Sequence, residues 1–524
     1  MISKRFLLKT AVAAIALLTS CSSTKDYNFA ITEKKHTVAA LKQDVDLAHQ
    51  ILKDGHPGLY WYISKKQLDY KFDSLKNSFN EPMTSNQFYQ KLSPVIAAIK
   101  CGHTALRYPS KIYKDKKERE VVNNRISALS QFTYAVTAND KLIVINNKSK
   151  NKNIKTGTEI LEIDENPVAN IFNHIDKGFS YDGYNEHPRN KRIELSFSGL
   201  YRIYYGDSDS LLLKYKLKDS VGESYISFST KKKDNKVDAK KVDTVKTTTV
   251  SKKIIPTKKE LKYRGKKVNG EYQLDFKFLD STKDVAYLKI NSFSIPTANF
   301  PQFYKQCFDS IHLAKAKNLV IDIRNNPGGT LNASLALFSY LTDKEFVYLA
   351  KPVNNGGFNA AKYSTGVKKA IYYLTAFNDN SRIYEDEQGN SFSFMKGYTP
   401  QKPHKNNFKG KVYVLINEFS FSASSLLSAN LKGINRATFV GTETGGGANQ
   451  CTAGRIPVVQ LKNTKISLRF GLNRMAPIYQ QDVYGRGVFP DVEIASTLED
   501  RIKNYDRELQ WVVADIKTKD NVRK

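Results

Sequence analysis

The sequence predicts a multidomain α/β protein in three successive parts: a helical segment, a β-rich segment and a C-terminal α/β core. Three observations predict this. Apolar residues recur first at helical spacing, then in short alternating runs, then in strand-like runs separated by helical patterns. The length of 524 residues leaves room for about three domains of roughly 150 residues. With 40% hydrophobic and 11% aromatic residues, each part can bury its own core, which excludes a small disulfide-stapled protein and a wholly disordered chain. The formal net charge is +31, from 82 Lys plus Arg against 51 Asp plus Glu. Nucleic acid, an anionic membrane and an acidic substrate all fit such a charge, which bears on attraction rather than on fold.

The chain opens with a basic n-region (Lys4, Arg5, Lys9), an apolar run from Ala11 to Leu18, and Leu18-Thr-Ser-Cys21. This order reads as a secretory signal over residues 1–20. It resembles the signals of bacterial lipoproteins, which implies that Cys21 is lipidated and anchors the mature chain to a membrane of the cell envelope. The apolar run is short of the roughly 20 residues needed to span a bilayer. Without residues 1–20 the charge is still +28, so export does not account for it. Cys101, Cys307 and Cys451 then remain, widely spaced and odd in number, which is neither a disulfide framework nor a Cys-x-x-Cys zinc pattern.

Residues 21–110 read as a helical domain. Val38, Leu41, Val45, Ala48 and Leu52, then Leu68, Phe72, Leu75 and Phe79, then Phe88, Leu92, Val95 and Ile99 repeat at three and four. Thr84 and Gln87 are spaced as a capping box. Residues 111–230 read as β-rich, with strands at Leu142 to Ile145 and Leu211 to Leu217. The turn, strand, turn and helix pattern from Ile154 to Val168 resembles the centre of a PDZ domain. Residues 231–267 carry 14 Lys and Arg264 against four acidic residues, which reads as a basic linker or an exposed hairpin. The window lacks the aromatics of a stacking platform for single strands. Residues 268–510 read as the α/β core, with strands at 285–290, 319–323, 412–416 and 438–440 and helices at 298–314, 331–341 and 422–432; 511–524 reads as a basic tail.

Two strand-to-helix turns carry the candidate chemistry. Leu319 to Ile323 runs into Arg324-Asn-Asn-Pro-Gly-Gly329. Tandem glycines let backbone approach a ligand, and the helix start offers unpaired N–H donors, although an ordinary tight turn has the same composition. Val412 to Ile416 runs into Asn-Glu-Phe-Ser-Phe-Ser-Ala-Ser-Ser425. A serine there can be presented at the sheet edge as a nucleophile, or can simply cap the helix.

Together with Gly441-Thr-Glu-Thr-Gly-Gly-Gly447 and Gly487-Val-Phe-Pro-Asp491, these turns resemble the tail-specific (C-terminal processing) serine peptidases. The resemblance implies a PDZ-like middle domain and a crotonase-like (ClpP-like) peptidase core. It implies Ser422 as nucleophile, with oxyanion donors from Ala423 and from Gly328 or Gly329. One departure is that Gly447 stands where the serine/lysine subgroup has its base, with Cys451 four residues on. Lys100-Cys-Gly-His-Thr-Ala-Leu106 is similar instead to the tricorn-like branch, implying His103 as general base. The acid that would orient the histidine is left between Asp482 and Glu443, since Tyr484 occupies the usual glutamate position. His56, in Gly-His-Pro-Gly58, reads as shaping an inter-helix turn. The resemblance implies a polypeptide substrate, no metal or organic cofactor and no nucleic-acid partner, and leaves the oligomeric state open. The alternative is an inactive binding protein for peptides or apolar ligands on the same fold.

Overall fold

The computed structural model describes residues 24–231, 263–268, 271–354, 360–364, 369, 371, 383–387, 389 and 391–522. The signal segment, Cys21 and most of the basic window at 231–267 lie outside the described residues.

The N-terminal part contains α1 (Thr24–Thr32), α2 (Val38–Gly55), α3 (Lys65–Asn77) and α4 (Ser85–Ala97). Ser64 with Gln67 opens α3 and Thr84 with Gln87 opens α4, each as a complete capping box. These boxes satisfy helix-start N–H groups that lack an intrahelical acceptor. The apolar stripes meet around Leu41, Val45, Phe72, Phe88 and Leu92, all almost fully buried. After α4 the chain turns through His103 into a short strand, β1 (Ala105–Arg107).

The middle part is an antiparallel sheet in the order β2 (Phe132–Val136), β3 (Leu142–Asn147), β4 (Glu159–Ile163), β5 (Ser210–Leu217) and β6 (Ser220–Ser227). It follows a surface helix, α5 (Lys116–Asn124). Two helices, α6 (Val168–Asp176) and α7 (Pro188–Tyr205), pack on the sheet through Ile171, Phe172, Ile193 and Phe197.

The core sheet begins with β7 (Leu274–Phe278), antiparallel to β8 (Val285–Ile290). β8 is followed in parallel by β9 (Asn318–Asp322), β10 (Lys411–Ile416) and β11 (Thr438–Gly441). Its parallel strands are buried on both faces, which explains their unbroken apolar runs. One face is covered by α8 (Phe300–Ala314), α9 (Leu331–Ser339) and α10 (Ala423–Gly433).

Three late segments complete the molecule. A hairpin of β12 (Val458–Gln460) and β13 (Ser467–Arg469) pairs with β1. Leu106 faces Leu468, and Val459, Leu461, Ile466, Leu468, Phe470 and Leu472 enter the helical domain's core. Buried Asp44 fastens this hairpin by accepting from the Thr464 N–H at 2.8 Å and its hydroxyl at 2.7 Å. The helical domain expected over 21–110 is therefore completed from outside those bounds. β14 (Val492–Glu493) closes the core sheet beside β11. After α11 (Leu498–Lys503), a last helix, α12 (Arg507–Val522), lays Val512 and Ile516 on the sheet's second face, and Asp515 accepts from the Tyr413 hydroxyl at 2.6 Å. The expected basic tail at 511–524 is thus corrected: through 522 it is helix, and its apolar face covers the core.

Candidate active site

Because β9 and β10 are parallel neighbours, the turns that leave them meet at one sheet edge, although about ninety residues separate them in sequence. The C-terminal ends of parallel strands are where open α/β sheets carry their ligand-binding turns. The turns are tied directly: Asn417 Oδ1 accepts from the Asn325 N–H at 2.8 Å, and the Asn326 carbonyl accepts from the Phe421 N–H at 2.9 Å.

The serines of the second turn have distinct tasks. Ser420 donates its hydroxyl to the Ile323 carbonyl, Ser424 to that of Asn326 and Ser425 to that of Ser420. Ser422 alone among these faces a histidine: its Oγ lies 3.1 Å from His103 Nε2. Ser422 has φ 56° and ψ −116°, in a sparsely populated region for an L-residue. The surrounding hydrogen bonds hold this strained elbow, and Gly446 packs against it. A Cβ on Gly446 would come within 2.8 Å of Ser422 N.

Gly328 packs equally closely, with φ 90°; a Cβ there would lie 2.7 Å from Ser422 Cβ and 2.8 Å from Ala423 N. Its own N–H is spent on Asn326 Oδ1 at 2.9 Å. The Gly329 and Ala423 N–H groups have no protein acceptor among the described residues, so of the two glycines left open it is Gly329 whose donor is available. Asn326, fully buried and fastened through Nδ2 to the Ile290 carbonyl, sets this arrangement and was not singled out from the sequence.

His103 is 4% exposed, between α4 and β1, and its ring packs on Phe421 with centroids 4.8 Å apart. Gly102 leaves room for the Phe421 ring, because a Cβ would stand 2.7 Å from it. Burial, with Arg469 and His56 adding, pulls His103 down to about 3, so the imidazole is neutral near pH 7 and can accept a proton at Nε2. His56 caps α2, as its reading as a turn residue implied; its Nε2 lies 2.9 Å from Thr104 Oγ1.

Neither expected orienting acid reaches the histidine. Glu443 is buried against Arg486 and accepts the Gly487 N–H at 2.6 Å. Asp482 lies on an exposed stretch. His103 Nδ1 is buried without a hydrogen-bond partner among the described residues. The acid beside it is Asp182, which no local pattern marks: a carboxylate oxygen of Asp182, Cys101 Sγ and a His103 ring nitrogen lie within 4.8 Å of one another. Cys, His and Asp could together hold a soft divalent metal, but here Cys101 Sγ is 2.8 Å from Thr452 Oγ1 and both Asp182 oxygens accept backbone N–H groups.

The motifs beyond the elbow are structural. Arg324 bridges Asp322 and Asp506 with paired hydrogen bonds of 2.7 to 3.0 Å. Asp491 accepts from the Phe439 N–H and from Lys432 Nζ, each at 2.8 Å.

A strained serine against a buried histidine, beside two unspent N–H groups, sits within residues 284–494, which match the model of peptidase family S41. That stretch, which holds most of the core sheet, is similar to that family. The chain is similar to a tail-specific protease of Haemophilus influenzae, 22% identical over 237 residues covering 44% of this chain and 28% of the relative. It is also similar to a carboxy-terminal-processing protease of Bartonella bacilliformis, 25% identical over 225 residues covering 43% and 42%. The chain therefore spans less than half the length of these curated relatives. In fold, mature CPAF complexed with lactacystin is similar over 91% of this chain and 97% of that one, with a TM-score of 0.61 at 16% identity. The likeness reaches beyond the S41 core into the helical and middle parts. Among the described residues, no helix is long and apolar enough to cross a membrane.

Proposed function

We propose that the protein is a serine-type endopeptidase that cleaves exported or misfolded polypeptides through an acyl-enzyme on Ser422, with His103 as general base. The observation that carries this reading is the 3.1 Å approach of Ser422 Oγ to His103 Nε2, within the distance at which a base can take a hydroxyl proton. His103 takes that proton as Oγ attacks the peptide carbonyl. The Ala423 and Gly329 N–H groups stabilise the oxyanion, and His103 returns the proton to the leaving amine. Water then repeats the sequence on the ester, releasing the acid and restoring Ser422.

The middle domain's edge strand β6 suits a peptide that adds as a further strand. The Cys21 signal supports lipid anchoring in a bacterial cell envelope. An inactive binding role has no observation in its favour, since the pair is in hydrogen-bond register.

The test is fluorophosphonate labelling and peptide hydrolysis by the mature protein, Ser422→Ala and His103→Ala. Labelling confined to wild type, with both variants reduced at least 1,000-fold in hydrolysis, is expected. Equal labelling of Ser422→Ala and wild type would overturn the nucleophile, and full activity of His103→Ala the base.

A further inference from the structure

Asp182 lies in the loop between α6 and α7, 3% exposed, and each of its carboxylate oxygens accepts a backbone N–H from a different domain. Oδ1 accepts from Gly102, the residue before His103, at 2.7 Å; Oδ2 accepts from Gly447, in the loop packed on the Ser422 elbow, at 3.1 Å. The next residue continues the tie, the Gly183 N–H donating to the Lys100 carbonyl at 2.9 Å. One side chain thus joins the loop that carries the histidine, the middle domain and the loop that carries the serine.

We infer that Asp182 is the positioning residue for His103: it fixes the histidine loop against the serine elbow and supplies the negative charge facing the imidazolium formed when Ser422 gives up its proton. The inference rests on the Ser422 and His103 reading. Neither acid expected from the sequence faces the ring. Once Nε2 accepts from Ser422, the proton sits on Nδ1, which has no acceptor among the described residues, so the nearby carboxylate acts through charge and through the Gly102 N–H.

The surroundings are otherwise unfavourable to an imidazolium. Arg469 of β13 and His56 at the end of α2 face His103. Arg192 of α7 is the cation near Asp182, and Cys101, Cys451 and Tyr62 face the same carboxylate from the other elements. Burial pushes Asp182 up to about 6, so acidification through that pH removes the charge opposite the ring.

The experiment compares wild type with Asp182→Asn, which keeps shape and one acceptor but loses the charge. The expected result is a kcat about 100-fold lower with KM within threefold, a modest fall in Tm because one backbone N–H loses its acceptor, and loss of the rise in kcat/KM through about pH 6 seen in wild type. Independently of activity, the His103 ring NMR signals of wild type, and of Ser422→Ala, should inflect near pH 6 as the neighbouring charge is lost; Asp182→Asn should lack the inflection. An unchanged inflection in Asp182→Asn, or wild-type kcat with an unchanged pH profile, overturns the inference. So does a fall in Tm that accounts for the lost activity while the pH profile persists. A wild type that neither labels nor hydrolyses peptides would sink the Ser422 reading instead, and the NMR comparison would still decide Asp182.

Discussion

Ser422 holds backbone angles that its side chain disfavours, and such a residue costs about 1–3 kcal/mol unless its surroundings over-determine it. Ser422→Gly should therefore raise thermal stability, read as a higher Tm, while abolishing fluorophosphonate labelling; a lower Tm would show that the elbow is unstrained. Gly328→Ala tests the opposite face. Its φ of 90° and the 2.7 Å clash with Ser422 Cβ must push Ser422 off the Nε2 axis, and misplacement by about 1 Å costs about 100-fold. A kcat at least 100-fold lower, with the fold intact by circular dichroism, is the expected outcome. Ser422 and His103, which the fold brings within 3.1 Å, were legible as candidates because short motifs mark them. Asp182 was not: Tyr-Asp-Gly is an unremarkable loop, and its meaning comes from partners 80 and 265 residues away.

At the scale of elements, β1 matters more than its three residues suggest, since its pairing with β13 holds the histidine loop against the core. Leu468 is fully buried opposite Leu106, so Leu468→Ala should cost about 2–5 kcal/mol in urea unfolding and lower kcat through the displaced loop. Arg324 is the pivot at the end of β9. Arg324→Met would leave Asp322, 2% exposed, without its cation, a loss of about 3–5 kcal/mol by the same measurement. The helices were readable because 3.6-residue stripes and capping boxes are local signals. The β1–β13 pairing was not, because short strands more than 350 residues apart leave no local periodicity. The last helix was mistaken for a tail because its lysines dominate its composition, while only a narrow stripe around Val512 and Ile516 meets the sheet.

For the whole molecule, buried titratable groups set the response to pH. His56 and His103 are each pulled from 6.5 to about 3 by burial, so between those values the unfolded chain binds protons that the native protein refuses. Stability then falls as pH is lowered from about 6.5 toward 3. Asp182, raised from 3.8 to about 6, acts oppositely: the native state holds a proton between those values that the unfolded chain has given up. Two histidines against one aspartate leave net proton uptake on unfolding, and calorimetric Tm should drop between pH 7 and 5. His56→Gln should flatten that drop. The net charge of +31 had little to say about the site, since its densest stretch lies outside the catalytic motifs.

The hairpin of β12 and β13 also imposes an order in time. Ribosomal synthesis makes His103 some 320 residues before Ser422, and the surface that seats the histidine loop appears only once residues 458–472 have followed. A nascent chain therefore carries His103 and then Ser422 without the frame that aligns them. The close approach of His103 and Ser422 is therefore framed only when nearly nine-tenths of the chain has been made.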